Sequence, residues 1–428
     1  MKKHFQNALL LSAAFAMTIS FNACSSSNDD DDAGGGTSQL SESDKYLQSV
    51  LSSYVDNTVN PTYDSLAVKC TDLYNEVSDL LTASKKNAVT QDMVDKACAS
   101  WRNSRKFYES SEAFLLGAAS DYDIDPHIDT WPLDLSAFHT QLTNADMVER
   151  LAGDDGDVVA NGDLGQTLLG FHGIEFILFR DGNPRDASEL NANGHDSWKR
   201  NGLDFTKLTG DYELTFARAV TGDLRNSVYR LECCWNEDAP KDHRSLIEER
   251  LEWNTYMMSN NSVTYGENMK KAGQSGSLYT TVKSAISAIL VGDKGCAGIS
   301  DEVGLTKITN PFSGQDPSYI ESPYSYNTLT DFWDNIQSID NVWNGGTEGN
   351  RSENSMANYF KKYNSAIGQE VQNAIDDAQA KIKAIPAPFE NNFNLPANKA
   401  TIQAAIDACK TLTDALTKAD DFVQSNNK

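Results

Sequence analysis

The sequence has 428 residues and is acidic, with 36 Lys and Arg against 61 Asp and Glu and a formal net charge of −25. This charge repels nucleic acid and anionic lipid, so neither is an expected partner. The length suffices for two domains that each have a core of their own. Beyond the leader no apolar run is long enough to predict a membrane span.

The first residues have the organisation of a bacterial export signal. Lys2 and Lys3 precede an uncharged apolar run over residues 8–21, and a small residue stands directly before Cys24. This order predicts a signal peptide over residues 1–23. A small residue before a cysteine resembles the lipoprotein processing site, at which the thiol is acylated. We therefore expect a lipid anchor at Cys24 in the outer membrane, with the body periplasmic or surface-exposed. An ordinary signal peptide with an incidental cysteine is the alternative.

Residues 24–39 are rich in Gly, Ser and Asp and predict a flexible tether. Its acidic residues resemble a surface-export signal of bacterial lipoproteins, and a solvated spacer is the alternative. Six cysteines follow, at spacings that match no zinc motif. Cys70, Cys98 and Cys409 fall in apolar helical stripes and predict buried thiols. Export also permits one or two disulfides.

Helical periodicity dominates the rest of the chain. Helices are predicted over residues 45–83, 90–117, 164–180, 359–382 and 402–416. Pro61 should kink or break the first of them. Because strand-like alternation is scarce, the predicted fold class is all-α, in helical bundles. A polar stretch over 181–201 suggests a boundary at its end, which gives an N-terminal bundle over 40–205 and a C-terminal bundle over 206–428.

The helix predicted over 164–180 carries two polar residues on a buried face. His172 and Glu175 share one stripe, and apolar residues fill the adjacent one. Burying both groups costs several kcal/mol unless they pair with each other or bind something. Gly170 and Gly173 would let another backbone or a ligand come close. A hydrogen-bonded core pair and a ligand site both remain open.

Two further segments carry candidate ligands. Glu112 is a carboxylate on a mostly apolar face, with Arg105 as a potential salt-bridge partner. Residues 123–134 contain four carboxylates, His127 and Trp131, and form either a lip over a ligand or a solvated turn. The zinc-peptidase pattern of two histidines four residues apart is absent around His172.

Residues 170–175, GFHGIE, resemble the GxHxxE signature of imelysin-like proteins, a family of iron-regulated envelope proteins. The resemblance continues in order through residues 111–117, 129–132 and 325–331. It implies two helical bundles that meet at a cleft lined by the GxHxxE helix, and a place in bacterial iron uptake. The family has also been classed as metallopeptidases.

The expected function is therefore that of a non-catalytic lipoprotein that binds iron, or an iron-bearing ligand, in the cleft. Nitrogen from one residue and carboxylate oxygens from others suit iron, or else zinc. The expected ligands are His172, Glu175 and Glu112, with Asp129 and Asp331 joining or orienting them. The residues expected to support the cleft are Gly170, Gly173, Trp131 and Asn327.

Two alternatives belong to other classes. One is a metallopeptidase of the imelysin type, in which Glu175 is the catalytic residue. The other is a surface glycan-binding lipoprotein, since seven Trp and sixteen Tyr could form sugar platforms. In every case the expected body is monomeric, and iron-uptake components are the expected partners.

Overall fold

Helices account for most of the structure, a computed structural model that describes residues 40–200 and 202–428. The α-helices are α1 Glu42–Ser53, α2 Asn60–Ser84, α3 Gln91–Glu109, α4 Ala118–Asp121, α5 Ile124–Ile128, α6 Leu135–Leu142, α7 Ala145–Leu151, α8 Gly156–Asp163, α9 Gly170–Leu178, α10 Gly210–Trp235, α11 Lys241–Ser245, α12 Tyr265–Lys270, α13 Val282–Val291, α14 Cys296–Asp301, α15 Thr309–Ser313, α16 Thr328–Trp343, α17 Met356–Tyr363, α18 Ser365–Ala384, α19 Phe389–Asn392 and α20 Lys399–Ser425. The predicted signal peptide, Cys24 and the tether lie outside the described residues.

Short segments of other geometry join these helices. Wider π-helical turns occupy Tyr54–Val59, Leu246–Arg250 and Glu302–Ile308, and 3₁₀ turns occupy Glu112–Phe114, Gln166–Leu168, Phe205–Lys207 and Pro396–Asn398. Strands β1 Phe179–Arg180 and β2 Asn183–Pro184 form one antiparallel pair, and β3 Lys199–Arg200 and β4 Leu203–Asp204 form another. The predicted all-α class is thus confirmed.

The helices pack in two groups. One group contains α2, α3, α8, α9 and α10, and the other contains α13, α14, α16, α18 and α20. Helices α3 and α16 pack against each other and join the groups. Residues Leu40–Lys428 form one compact unit, in which α10 packs against helices that precede residue 205. The division into two bundles at that residue stays a prediction.

Three predicted helices have different bounds in the structure. The helix over 45–83 changes to a π turn over Tyr54–Val59, directly before Pro61 in the first turn of α2, and continues on both sides of it. The helix over 90–117 ends at Glu109. The helix over 359–382 is two helices, because Asn364 leaves the helical conformation between them.

The helix over 164–180 is also shorter than predicted, since α9 begins at Gly170. Gly170 has a φ of +61°, a region that other residues rarely adopt, and a Cβ added there would lie 1.8 Å from the carbonyl oxygen of Ile128. A Cβ at Gly173 would lie 2.4 Å from the Leu168 carbonyl oxygen. Gly170 thus lets α9 pack against the chain before Asp129, and Gly173 lets α9 pack against the turn that precedes it.

All six cysteines of the described part are buried, and all but Cys233 belong to one continuous hydrophobic core. They are Cys70, Cys98, Cys233, Cys234, Cys296 and Cys409, each buried and outside any disulfide. The thiols predicted to be buried in apolar stripes are found so. No helix of the described residues has both the length and the apolar character needed to cross a membrane.

Candidate metal centre

Arg105, on α3, is fully buried and lies among four carboxylates. It contacts Asp129 directly, lies 2.5 Å from Glu109 and 3.0 Å from Glu321, and its Nε is 3.7 Å from Asp331. Burial acts to lower the pKa of Arg105, but the surrounding carboxylates outweigh it and hold the pKa well above its usual range. The guanidinium is thus a permanent positive charge at the centre of the site.

A second buried cation, Lys307, comes from the π turn Glu302–Ile308. Its Nζ lies 2.8 Å from Glu321, 3.1 Å from the amide oxygen of Asn335 and 3.8 Å from Glu109. The amide of Asn335 in turn donates to Glu109 at 2.5 Å. Two cations and α16 therefore fix the carboxylates of Glu109 and Glu321 in place.

The GxHxxE residues form a chain of contacts rather than an open ligand pair. Nε2 of His172 lies 3.1 Å from Oδ1 of Asp129, and its Nδ1 lies 3.5 Å from Oε2 of Glu175. The other oxygen of Glu175 accepts from the backbone N–H of Tyr324 at 3.0 Å and from the N–H and hydroxyl of Ser325 at 2.8 and 2.7 Å. Glu175 therefore ties α9 to the segment before α16.

Electrostatics keep Asp129 ionised. Burial acts to raise its pKa, but Arg105 and the hydrogen bond from His172 lower the pKa of Asp129 to about 2. Burial acts to lower the pKa of His172, and its hydrogen bonds to Asp129 and Glu175 reverse this and raise the pKa. The arrangement therefore favours an imidazolium that donates to a carboxylate.

Glu112 is in a different situation. The 3₁₀ turn after α3 carries it away from Arg105, so the salt bridge considered from the sequence is not formed, and Arg105 pairs with Glu109 instead. Glu112 is only 5% exposed, and within residues 40–200 and 202–428 its carboxylate has no hydrogen bond or ion pair. Burial raises the pKa of Glu112 well above its usual range, against the attraction of Lys307.

The carboxylate of Glu112 faces a cavity of about 190 Å³. One oxygen each from Glu109, Glu112 and Asp129 lie within 4.8 Å of one another, a spacing that a single metal ion could bridge. Asp125 and Glu302 also line this cavity. We call it the carboxylate pocket.

His172 lines a different, larger cavity of about 330 Å³. Its walls are partly apolar, with Leu133, Trp198 and Tyr324, and partly charged, with Glu321. Trp131, which lines the carboxylate pocket, packs its ring 3.9 Å from that of Tyr319, whose neighbours line the larger cavity.

Of the expected ligands, Asp129 and Asp331 lie beside Arg105, and His172 links Glu175 to Asp129. Asp331 accepts from Asn327 at 2.6 Å and from Ser322 at 2.5 Å, and burial raises the pKa of Asp331 to about 7. Asn327 thus orients Asp331, as a residue supporting the cleft would. Of the expected ligands, Glu112 and Asp129 line the carboxylate pocket, His172 lines the larger cavity, and Glu175 and Asp331 are engaged in structural contacts.

Three residues of the cluster were not predicted from the sequence: Glu109, Lys307 and Glu321. Glu109 had a readable signal, because it lies four residues after Arg105 on one helix face. Lys307 and Glu321 come from sequence without clear periodicity, and contacts between distant segments bring them close to α3.

Most of the chain is similar to known proteins of one family. Residues 59–416 match the family model described as imelysin. Iron-regulated protein A of Synechococcus elongatus is 24% identical over 366 residues, which cover 86% of this chain and 83% of that protein.

Two solved structures resemble this one. A protein of Parabacteroides distasonis, assigned as an iron-regulated protein A precursor, superposes with a TM-score of 0.69 at 28% identity, covering 90% of this chain and 96% of that one. An imelysin-like protein of Psychrobacter arcticum has the same fold, with a TM-score of 0.54 at 12% identity over 88% of this chain and 95% of that one. This chain belongs to the imelysin family.

Proposed function

We propose that this protein is a non-catalytic binding protein that captures iron, or an iron-bearing ligand, in the carboxylate pocket. The observation that carries the proposal is Glu112, a buried carboxylate without a partner among the described residues, close to two other carboxylates. A buried charge without a partner is costly, and a bound cation would remove that cost.

The donors suit a hard cation. Glu109, Glu112 and Asp129 offer oxygen, and glutamate carboxylates hold iron in other helical bundles. Zinc sites in proteins usually contain histidine or cysteine, so this set favours iron over zinc. His172 would act behind Asp129 by donating to it, as groups behind metal ligands commonly do.

The charge balance of the cluster also favours a cation. Five carboxyl groups, those of Glu109, Glu112, Asp129, Glu321 and Asp331, surround the two cations Arg105 and Lys307. Burial raises the pKa of Glu109 and of Glu112 well above the usual range. A bound metal ion would replace protons on these groups, so binding should release protons and strengthen as pH rises.

The contacts of Glu175 favour binding over peptidase activity. A zinc peptidase requires a carboxylate free to accept a proton from metal-bound water. One oxygen of Glu175 accepts three hydrogen bonds from Tyr324 and Ser325, and the other faces His172. We include in the proposal an anchor at Cys24 in the cell envelope and a role in iron uptake, which the names of the relatives support.

Calorimetric titration of the purified protein with ferrous iron under anaerobic conditions tests the proposal, with zinc titrated in parallel. Wild type should bind one iron, and binding should weaken by at least about tenfold in Glu112→Gln, since a charged ligand is replaced by a neutral one. The matched control is Glu370→Gln, a half-exposed glutamate paired with Lys418 on the far helices α18 and α20. Equal affinity in wild type and Glu112→Gln would refute the proposed site.

A further inference from the structure

Helix α5 contributes to a cavity that the proposed function does not use. Asp125 lines the carboxylate pocket, whereas His127 lines a separate cavity of about 210 Å³. Helix α10 supplies another wall through Ser227 and Arg230. The remaining walls include Tyr122, Trp253 and Gln166.

Arg230 is the first sign of a ligand. The centre of its guanidinium lies 3.8 Å from the Tyr122 ring centroid and 5.5 Å from that of Trp253, and its Nε donates to the Asn254 carbonyl at 3.0 Å. No carboxylate among residues 40–200 and 202–428 lies within 4.0 Å of it. The two rings therefore hold the Arg230 guanidinium at the cavity, and within the described residues this cation has no carboxylate partner, although the chain has 61 acidic residues.

Ser227 is the second and independent sign. It follows Asp223 by four residues and precedes Arg230 by three, so the three share one stripe of α10. Ser227 is 3% exposed and lines the cavity, and within the described part of the chain its hydroxyl makes no hydrogen bond. The side chain is thus largely buried, and its hydroxyl is available to a ligand that enters the cavity.

The carboxylate of Asp223 does not compete for that ligand. One of its oxygens lies 2.8 Å from Nε2 of His127, and the other accepts from the amide of Asn161 at 2.9 Å. Both oxygens of Asp223 are thereby engaged, and Nε2 of His127 also lies 3.0 Å from the amide of Asn161. Asp123, the acidic residue among the cavity's lining, is exposed.

We propose that this cavity binds a small organic acid, with its carboxylate held by Arg230 and Ser227. The planar guanidinium matches a carboxylate with two parallel hydrogen bonds, and the hydroxyl adds a third donor. The rings of Tyr122 and Trp253 provide an apolar wall for a short carbon skeleton. The volume of about 210 Å³ limits that skeleton to a few carbon atoms or one ring.

The test uses the full-length protein freed of metal, so its outcome is independent of iron binding. Acetate, lactate, succinate and benzoate are each titrated by calorimetry, and their binding is followed by ligand-detected NMR. At least one should bind at one site per chain. Arg230→Lys keeps the charge and the packing of the stem but loses the paired donors, and it should weaken binding by roughly tenfold. Ser227→Ala should weaken it by several-fold.

The matched control is Arg150→Lys, an exposed arginine on α7 paired with Asp163, which should leave binding unchanged. Circular dichroism melting checks that each variant is folded. Failure of all four acids to bind wild type would overturn the proposal. So would binding that is equally tight in Arg230→Lys and Ser227→Ala, or inorganic phosphate that binds as tightly as the best carboxylate.

Discussion

Two buried glutamates, Glu175 and Glu112, differ in their hydrogen-bond partners. One oxygen of Glu175 accepts three hydrogen bonds, two of them from backbone N–H groups. Glu112 has no such partner among the described residues and faces a cavity. Removing Glu175 should therefore lower the free energy of unfolding, whereas neutralising Glu112 should raise it.

Glu112→Gln should stabilise the metal-free protein by roughly 1–3 kcal/mol at pH 8, the cost of a buried group without a partner. Burial raises the pKa of Glu112 in the folded state. The folded protein therefore binds a proton that the unfolded chain has released, and wild type loses stability as pH rises above the unfolded pKa of about 4.3. The gain of the variant should shrink toward pH 4. Urea denaturation at both pH values measures it, and a variant less stable than wild type at pH 8 would contradict the expectation.

Glu175→Ala should lower the free energy of unfolding by roughly 3 kcal/mol or more, because two backbone N–H groups and the Ser325 hydroxyl lose their acceptor. His172→Ala should cost less, since Asp129 keeps its contact with Arg105. Thermal melting with and without iron separates these roles. His172→Ala should retain part of the stabilisation by iron, because its imidazole only orients Asp129. Equal losses of stability in the two variants would show that His172 and Glu175 act as a single core pair.

At the scale of elements, the close contact between α9 and α5 sets the position of Asp129. Gly170 combines a positive φ with a backbone neighbour at the place where a Cβ would stand. Gly314, at the end of α15, has a φ of +78° and nothing within 4 Å of an added Cβ. The two glycines therefore allow the steric contact to be measured apart from the backbone conformation.

Gly170→Ala should destabilise the protein by roughly 2–5 kcal/mol. This figure is the sum of the cost of a non-glycine residue in the left-handed conformation and the cost of overpacking against Ile128. Gly314→Ala should cost only about 1–2 kcal/mol. Because the clash is with Ile128, Gly170→Ala should also displace Asp129 and weaken iron binding, whereas Gly314→Ala should not. Denaturation curves and calorimetry on both variants check this. Equal losses of stability in the two variants would mean that the backbone around Ile128 accommodates the added methyl group without strain.

The elements also show how far sequence reasoning reaches here. Periodicity predicts that long helices exist, because each buries one apolar face, and it places His172 and Glu175 on one stripe. It does not reveal that α3 ends at Glu109. The 3₁₀ turn that follows moves Glu112 away from Arg105 and into a pocket. It also cannot place Lys307 and Glu321, whose positions depend on contacts between distant segments.

At the scale of the whole molecule, buried charges join the two groups of helices. Arg105 and Glu109 on α3 meet Asp331 and Asn335 on α16, and Lys307 lies between them. Such a network is costly to desolvate and is stabilising only when every member is present. The two groups should therefore unfold together, in one transition with the same midpoint by circular dichroism and by tryptophan fluorescence.

Lys307→Met tests this coupling, because it removes one of the two buried cations beside Glu109 and Glu321 and leaves Arg105 to compensate both. The expected loss is about 3–5 kcal/mol, the range for breaking a buried ion pair. Lys418→Met, which breaks the half-exposed pair with Glu370, should cost no more than about 1 kcal/mol. Adding Glu321→Gln to Lys307→Met should recover part of the loss, because it removes one uncompensated charge. The loss should also shrink at low pH, where the carboxylates are protonated. If Lys307→Met costs no more than Lys418→Met, the network does not hold the two groups of helices together.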